Sequence, residues 1–433
     1  MRPSTTIHPL QIGNFRFYLL GRLSANLAQY AMMIIVGWQA YNVARETMEP
    51  SAAAAQLGLI GLAQFLPLLI LTPVTGWVAD HFDRRKIVRS TFTLLIMGAL
   101  LLSTATFEGW VNLPLIFLIA IIVGIARAFN GPALGALAPN LVPRAILPQA
   151  IAISSVAWQC GMIIGPALGG YAYAIEPWGA YALSAALYTF ALICMFLIGL
   201  VPQPPRDANR SPVAQILDGF RYVRGNRLVL AAITLDLFAV LLAGATALLP
   251  IYARDILHVG SRGLGHLAAS PAVGAAIIAL WFSIRPLKYN VGLKMILSVI
   301  AFGLATILFG CTAFLPRSIA MEVGIASLVA LGCADMFSVF VRQSLIQIHT
   351  PDTMRGRVGS LSQLTISASN ELGEAESGFL AALIGPIAAV IAGGVGAIVI
   401  TLIWSRLFPE LLQARTFDPP DMREAHPSEE KLS

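Results

Sequence analysis

The sequence predicts an all-α membrane protein with about twelve membrane-spanning helices, and three observations carry the prediction: composition, the length of the apolar runs, and the placement of the basic residues. Of 433 residues, 57% are hydrophobic and only 12% charged, with a mean hydropathy of +0.76. Soluble domains carry about twice that charged fraction, so a water-soluble fold is excluded. Within a bilayer, backbone polar groups must be paired internally and open sheet edges do not persist, so the spans are helices of about 20 apolar residues each. The 37 Gly and 26 Pro would break a soluble helical protein, but closely packed membrane helices tolerate them.

Apolar runs between charged or Pro- and Gly-rich breaks fall at 17–43, 53–79, 87–106, 113–136, 147–173 and 178–200, then at 228–252, 263–284, 291–314, 319–346, 358–384 and 387–408. The polar stretch between the two sets of six carries VPQPP and Arg206, Arg210, Arg221, Arg224 and Arg227. The expected organisation is therefore a six-helix bundle over 1–200, a cytoplasmic linker over 201–227, a second bundle over 228–410 and a polar tail over 411–433. Ile216, Phe220 and Val223 recur at helical spacing, which predicts a short amphipathic helix in the linker.

Basic residues accompany alternate loops. One side receives Arg2, Arg16, the Arg84–Arg89 cluster, Arg144, the linker arginines, Arg285, Lys288, Lys294, Arg342, Arg355, Arg357, Arg406 and the tail; the other receives only Arg45, Arg254, Arg262 and Arg317. Cytoplasmic loops carry the excess of Lys and Arg, so both termini are expected in the cytoplasm. The start of the chain lacks a signal-peptide core and cleavage site, so the first span is expected to remain. The net charge of +6 serves topology; no nucleic-acid module is present. Cys160, Cys194, Cys311 and Cys333 lie singly in apolar runs, which gives no support to a disulfide or a metal site, and the six histidines are scattered over loops and tails. No GxSxG, HExxH or nucleotide loop occurs, so neither an enzyme nor an ATP-driven pump is expected, and no cofactor.

The loop after the second span reads Gly76-Trp-Val-Ala-Asp80-His81-Phe82-Asp83-Arg84-Arg85-Lys86. It resembles the signature loop of the major facilitator superfamily, matching at Gly76, Asp80, Arg84 and Arg85 and departing at His81 and at Asp83, where Gly is usual. The resemblance implies the superfamily fold, two six-helix bundles around a central cavity, and for this loop a latch that closes the cytoplasmic side in one conformation. The fifth span contains Gly161-Met-Ile-Ile-Gly165-Pro166-Ala-Leu-Gly169-Gly170, whose glycines recur along one helix face where another helix can pack at backbone contact. It is similar to the antiporter motif of the superfamily, which marks exporters more often than importers. Asn14-Phe-Arg16, Gly21-Arg22, Leu141-Val-Pro143, Gly219-Phe-Arg221-Tyr, and Thr350-Pro351 with Arg355-Gly356-Arg357 resemble the enterobactin-exporter branch, which also holds macrolide-type drug exporters. The similarity covers nearly the whole chain.

Charged residues inside spans are costly and therefore functional candidates. Arg22 lies two turns into the first span, where it can also snorkel to the interface, and Arg127 lies deep in the fourth. On the acidic side stand Asp236, Asp335, Glu371, Glu374 and Glu376. A carboxylate in such surroundings can load and release a proton, as proton coupling requires. Asp236 and Glu374 are the foremost proton candidates, and Glu374 also matches an acidic position of the branch. Glu371 and Glu374 share a helix face from which Glu376 points away, so the three line one cavity only if the helix kinks at Gly373 or Gly378. Asn26, Gln29, Tyr30 and Gln159 are further candidates for cavity lining or for hydrogen bonds between helices.

The expected function is secondary transport by alternating access, with protons driving export of an amphipathic small molecule, a siderophore or a drug, from a monomer in a bacterial inner membrane. A lysophospholipid flippase or a solute symporter of the same fold is the alternative, followed by a membrane receptor or enzyme.

Overall fold

A computed structural model describes residues 8–199, 212–285, 287 and 289–417; the side chains of residues 73, 76, 77, 79, 80, 136, 144, 212–216, 352 and 353 lie outside that description. The first half contains α1 (Gly13–Thr47), α2 (Pro50–His81), α3 (Arg84–Phe107), α4 (Leu113–Leu137), α5 (Leu147–Ile175) and α6 (Pro177–Leu197). Helix α7 (Pro212–Gly225) follows in the linker. The second half contains α8 (Arg227–Leu242), a short α9 (Leu249–Ile251), α10 (Gly260–Ile284), α11 (Val291–Cys311), α12 (Arg317–His349), α13 (Asp352–Ile384), α14 (Pro386–Leu407) and a terminal turn α15 (Pro409–Gln413). Among the described residues there is no strand.

Local sequence sets the helix starts. Proline, which lacks the N–H that a first turn leaves unpaired, opens α2, α6 and α14. Asn112 and Asn226 cap α4 and α8 by accepting from Leu115 N at 3.0 Å and Val229 N at 3.1 Å. Among the described residues, eleven helical segments are long and apolar enough to cross a bilayer, with 227–256 counted as one. Helix α13 falls short in hydropathy because it carries Glu371, Glu374 and Glu376, yet it is 33 residues long and packs inside the bundle between α2 and α8. The protein is a multi-pass membrane protein.

The predicted span 228–252 is the one that differs in kind. Helix α8 stops at Leu242, the chain makes a tight turn over Ala245–Leu248, and α9 then leads into a π-helical turn over Tyr252–Ile256. Gly244 lies against the carbonyl of Gly373 so closely that no Cβ would fit. The kink foreseen in the eleventh span at Gly373 or Gly378 is not taken up there; α13 runs unbroken and the seventh span is interrupted instead. In α7, Val223 is buried while Phe220 is exposed, so the foreseen apolar stripe is split between protein and surroundings. Ile216 lies outside the described side chains.

One apolar core joins Phe15, Phe92, Ile116 and Tyr181 within the first half. A second fills the second half and also takes in Trp38, Tyr41, Ala53 and Leu57. These four belong to the ends of α1 and α2 remote from the termini, so the halves merge into one core at that far end. Toward the end that carries the termini the burial falls away. The first three turns of α5 bury only Ala150, Ser154 and Ala157, and from Ile277 to Ile284 α10 buries only Phe282. The halves are closed at the far end and splayed at the termini end.

Candidate functional site

Where the two halves meet around the interrupted seventh span, they enclose a cavity of about 250 Å³. Helices α1, α2 and α5 contribute from one half; residues 246–250, α10 and α13 contribute from the other. Discontinuous helices at such a junction are a usual way to build transporter sites, because backbone irregularity is tolerated where it lines a cavity. The wall is mainly apolar, with Met33, Leu57, Ile60, Met162 and Pro250 among its residues. Tyr30, Gln64, Thr246 and Glu374 interrupt it, and among the described lining residues Glu374 is the one charged group.

The Glu374 side chain rests against Gly61 of α2, in a space that a Cβ at Gly61 would share at 3.5 Å. It makes no hydrogen bond or ion pair among the described residues. One turn back, Glu371 is 6% exposed and accepts the Arg127 guanidinium at 2.8 Å. Arg127 stands on α4, so this ion pair crosses from one half to the other; its second nitrogen lies 3.5 Å from Gln64 Oε1. The shared face read from the sequence thus holds two carboxylates in different situations, one neutralised across the interface and one facing the cavity. Glu376 does not line the cavity, and its buried Oε2 has no hydrogen-bond partner.

The other charged candidates lie elsewhere. Asp236 of α8 forms an ion pair with Arg342 of α12, and both are buried inside the second half. Arg342, counted from the sequence among the inner-side charges, is 2% exposed within α12. Asp335 is half-buried on α12, outside the cavity lining. Arg22 donates to Tyr18 Oη at 2.8 Å, and that hydroxyl donates to Leu134 O of α4 at 3.2 Å. Of the polar candidates in α1 and α5, Tyr30 lines the cavity, Gln29 lies beside Arg127 in a small adjoining void, and Gln159 donates to Ala272 O of the other half at 2.7 Å. Asn26 packs against Gly161.

In the loop between α2 and α3, the side chains of Gly76 and Asp80 are outside the described residues. Arg84 is engaged. Arg85 is clamped by Asp83 at 2.7 Å and donates to Gly199 O at 2.7 Å and Ile198 O at 3.2 Å, tying α3 to the end of α6 within the first half. Asp83, the departure from the family pattern, caps α3 by accepting from Arg85 N at 2.9 Å. The Arg85 hydrogen bonds hold its carboxyl below the ordinary value of 3.8.

The glycine run of α5 meets two partners. Gly161, Gly165 and Gly169 lie against Asn26, Tyr30 and Ala31 of α1, while Gly170 meets Ser261 and Gly265 of α10 in the other half. Pro166 also lines the cavity, and its carbonyl would be 2.8 Å from a Cβ at Gly265. Helices α2 and α13 cross similarly: a Cβ at Gly378 would fall 2.6 Å from the Gly58 backbone.

Sequence reasoning missed a second cluster, at the far end. Asp255, in the π-helical turn, accepts from Tyr41 Oη at 2.6 Å and lies 3.4 Å from Arg45 Nε, both on α1. Arg254 donates to Asn42 O at 3.4 Å and stacks over the Tyr41 ring at 5.9 Å. These contacts join partners more than 200 positions apart, which no local pattern reveals. The adjacent Arg254-Asp255 pair was the available signal, and it reads as an ordinary outer loop.

Two splayed bundles closed over a central cavity define a transporter of the major facilitator type. The chain belongs to the transmembrane secretion effector family of that superfamily, whose profile matches residues 4–429. It is 28% identical over 407 residues to enterobactin exporter EntS of Escherichia coli O1:K1 / APEC, covering 91% of this chain and 93% of the relative. The same protein from Escherichia coli strain SMS-3-5 / SECEC is 28% identical over 405 residues, covering 92% and 93%. Among solved structures, a D-xylose-proton symporter superposes with a TM-score of 0.71 at 16% identity, over 92% of this chain and 98% of that one. The xylose transporter XylE from E. coli, in an inward open conformation, gives 0.67 at 15% identity over 93% and 99%. These are transporters, and the protein is a secondary transporter, not an enzyme.

Proposed function

We propose that the protein is a proton-coupled exporter of amphipathic small molecules, working by alternating access from a bacterial inner membrane with both termini in the cytoplasm. The observation that carries this reading is the Arg127–Glu371 pair with Glu374 beside it, at the junction of the two halves and on the wall of the cavity. A carboxylate there can exchange protons with whichever side the cavity faces, and rocking of the halves alters its surroundings. Closure at the far end and splaying at the termini end correspond to a cavity reached from the cytoplasm. The concentration of basic residues at the termini end supports that orientation, and the glycine run of α5 and the relatives that export enterobactin support outward transport. Arg85, Arg84, Gly76 and Asp80 serve as the conformational latch in this reading. Asp236, held by Arg342 away from the cavity, braces the second half.

The test uses inverted membrane vesicles energised to an acid interior, with a pH-sensitive dye reporting proton release as siderophores, macrolides and lipophilic amines are added in turn. Release that depends on both the protein and one compound class supports the reading. Silence across the panel, with the protein present in the membrane, contradicts it.

A further inference from the structure

We infer that an open cavity at the termini end, between α7, α8 and α15, seats the headgroup of an anionic phospholipid, with its phosphate on Arg221 and Arg227. The site lies apart from the central cavity, and the reading above enters only to name the leaflet, the cytoplasmic one.

The cavity holds about 750 Å³, and its lining includes Arg221, Tyr222, Asn226, Arg227, Glu410 and Gln413. The docking of α7 builds one wall. Gly219 lies so close to Arg357 that a Cβ would fall 2.8 Å from its carbonyl oxygen, Val223 is buried with Ile346 and Val358, and Tyr222 Oη donates to His349 O at 2.6 Å. Arg227 is fixed as well: its Nε meets Glu410 at 2.5 Å, its Nη2 donates to Leu407 O at 3.1 Å, and the guanidinium stacks over the Phe408 ring at 5.6 Å. Its Nη1 makes no hydrogen bond among the described residues.

Charge decides the sign of the occupant. Glu410 balances Arg227, and Asp218 accepts from Arg357 Nη1 at 3.2 Å while Arg221 stands further off at 3.9 Å. Arg221, whose side chain is 73% exposed, and Arg224 one turn on are left uncompensated among the described residues. A phosphate supplies the missing negative charge and accepts from planar guanidinium groups through paired hydrogen bonds. The surroundings decide that the phosphate belongs to a lipid. Leu217 and Phe220 are exposed on the face of α7 that carries Arg221 and Arg224, and Leu407 and Leu412 are exposed next to Phe408 and Gln413 in the chain. Apolar side chains flanking a basic cavity at the ends of membrane helices suit the acyl chains and headgroup of one anionic lipid. A soluble phosphate would leave that apolar surface in water.

The experiment is native mass spectrometry of the purified, delipidated full-length protein, titrated in detergent with phosphatidylglycerol and with phosphatidylcholine of the same acyl chains, and with glycerol phosphate as a soluble competitor. Phosphatidylglycerol is expected to bind at least about tenfold more tightly than phosphatidylcholine, and glycerol phosphate to leave it in place. Arg221→Gln, a change at an exposed side chain, is expected to remove most of the preference with phosphatidylcholine affinity unchanged, and Arg221→Lys to keep part of it. Arg227→Gln, which also leaves Glu410 to repel the phosphate, is expected to remove it entirely. Equal affinity for the two lipids or an unchanged preference in Arg221→Gln would overturn the assignment, and so would displacement of the lipid by glycerol phosphate, which marks a site for a soluble anion. Detergent solution has no sidedness and the measurement involves no transport, so such a result rejects the lipid site and leaves the exporter reading to its own test in vesicles.

Discussion

Two carboxylates one turn apart on α13 have different surroundings: Glu371 is buried and paired, while Glu374 faces a cavity and is unpaired. Their substitutions therefore differ. Arg127→Gln leaves Glu371 without its partner, and we expect both a lower unfolding temperature and lost transport. Glu374→Gln removes no hydrogen bond or ion pair, so the unfolding temperature stays near wild type while proton-driven transport is lost. Asp236→Ala behaves as a structural lesion, because it strands the buried Arg342 guanidinium; removing one partner of such a pair costs about 3–5 kcal/mol, read as a depressed thermal transition in detergent. A second residue-scale expectation concerns Asp83, whose carboxyl is held below its ordinary value by Arg85. The stability it adds over Asp83→Asn is fully present above pH 3.8 and is lost as the pH falls through the lowered folded value, which acid titrations of the two proteins would show. The sequence made the acidic residues of α13 legible, since charge in a span is rare and the helical period sorts their faces. Arg127 was legible only as a lone buried charge. Its partner lies 244 positions further on, and nothing local in the sequence links the two.

Among the elements, close backbone crossings set where the halves can meet. Gly58 with Gly378, and Gly170 with Ser261 and Gly265, lie at the closed end. A side chain at Gly378 would have to displace the α2 backbone, so Gly378→Leu is expected to hold the far end apart and to slow transport severely without preventing insertion. Spin labels at the far ends of α2 and α13 would report a longer distance than in the wild type. The spacing of the α5 glycines was readable because helical periodicity is local. That Gly170 leaves the α1 face for the opposite half was not readable, since only the packed arrangement specifies which neighbour each glycine meets. The same reason hid the interruption of the seventh span. Its apolar run is continuous, and Pro250 alone does not show that Gly244 must yield to Gly373.

At the scale of the molecule, the far-end cluster around Asp255 serves closure and the central ion pair serves coupling in the proposed reading. Asp255→Asn weakens the contacts to Arg45 and Arg254, which at this exposure are worth roughly 1 kcal/mol or less each. The expected effect is a shift of roughly fivefold toward the outward-open population, seen as a longer component in the same distance measurements, with proton coupling intact. The twelve-helix plan was legible because bilayer thickness acts on the sequence directly. The conformation was not, since both states of a rocking transporter share one sequence and one set of spans. The central claim is that Glu374 couples protons to cargo, and it is tested most directly by comparing wild type with Glu374→Gln in inverted vesicles, recording cargo-dependent proton release and cargo-for-cargo counterflow together. The account predicts that the variant loses proton release and keeps counterflow, because the cavity still opens to both sides. Proton release undiminished in Glu374→Gln would contradict it.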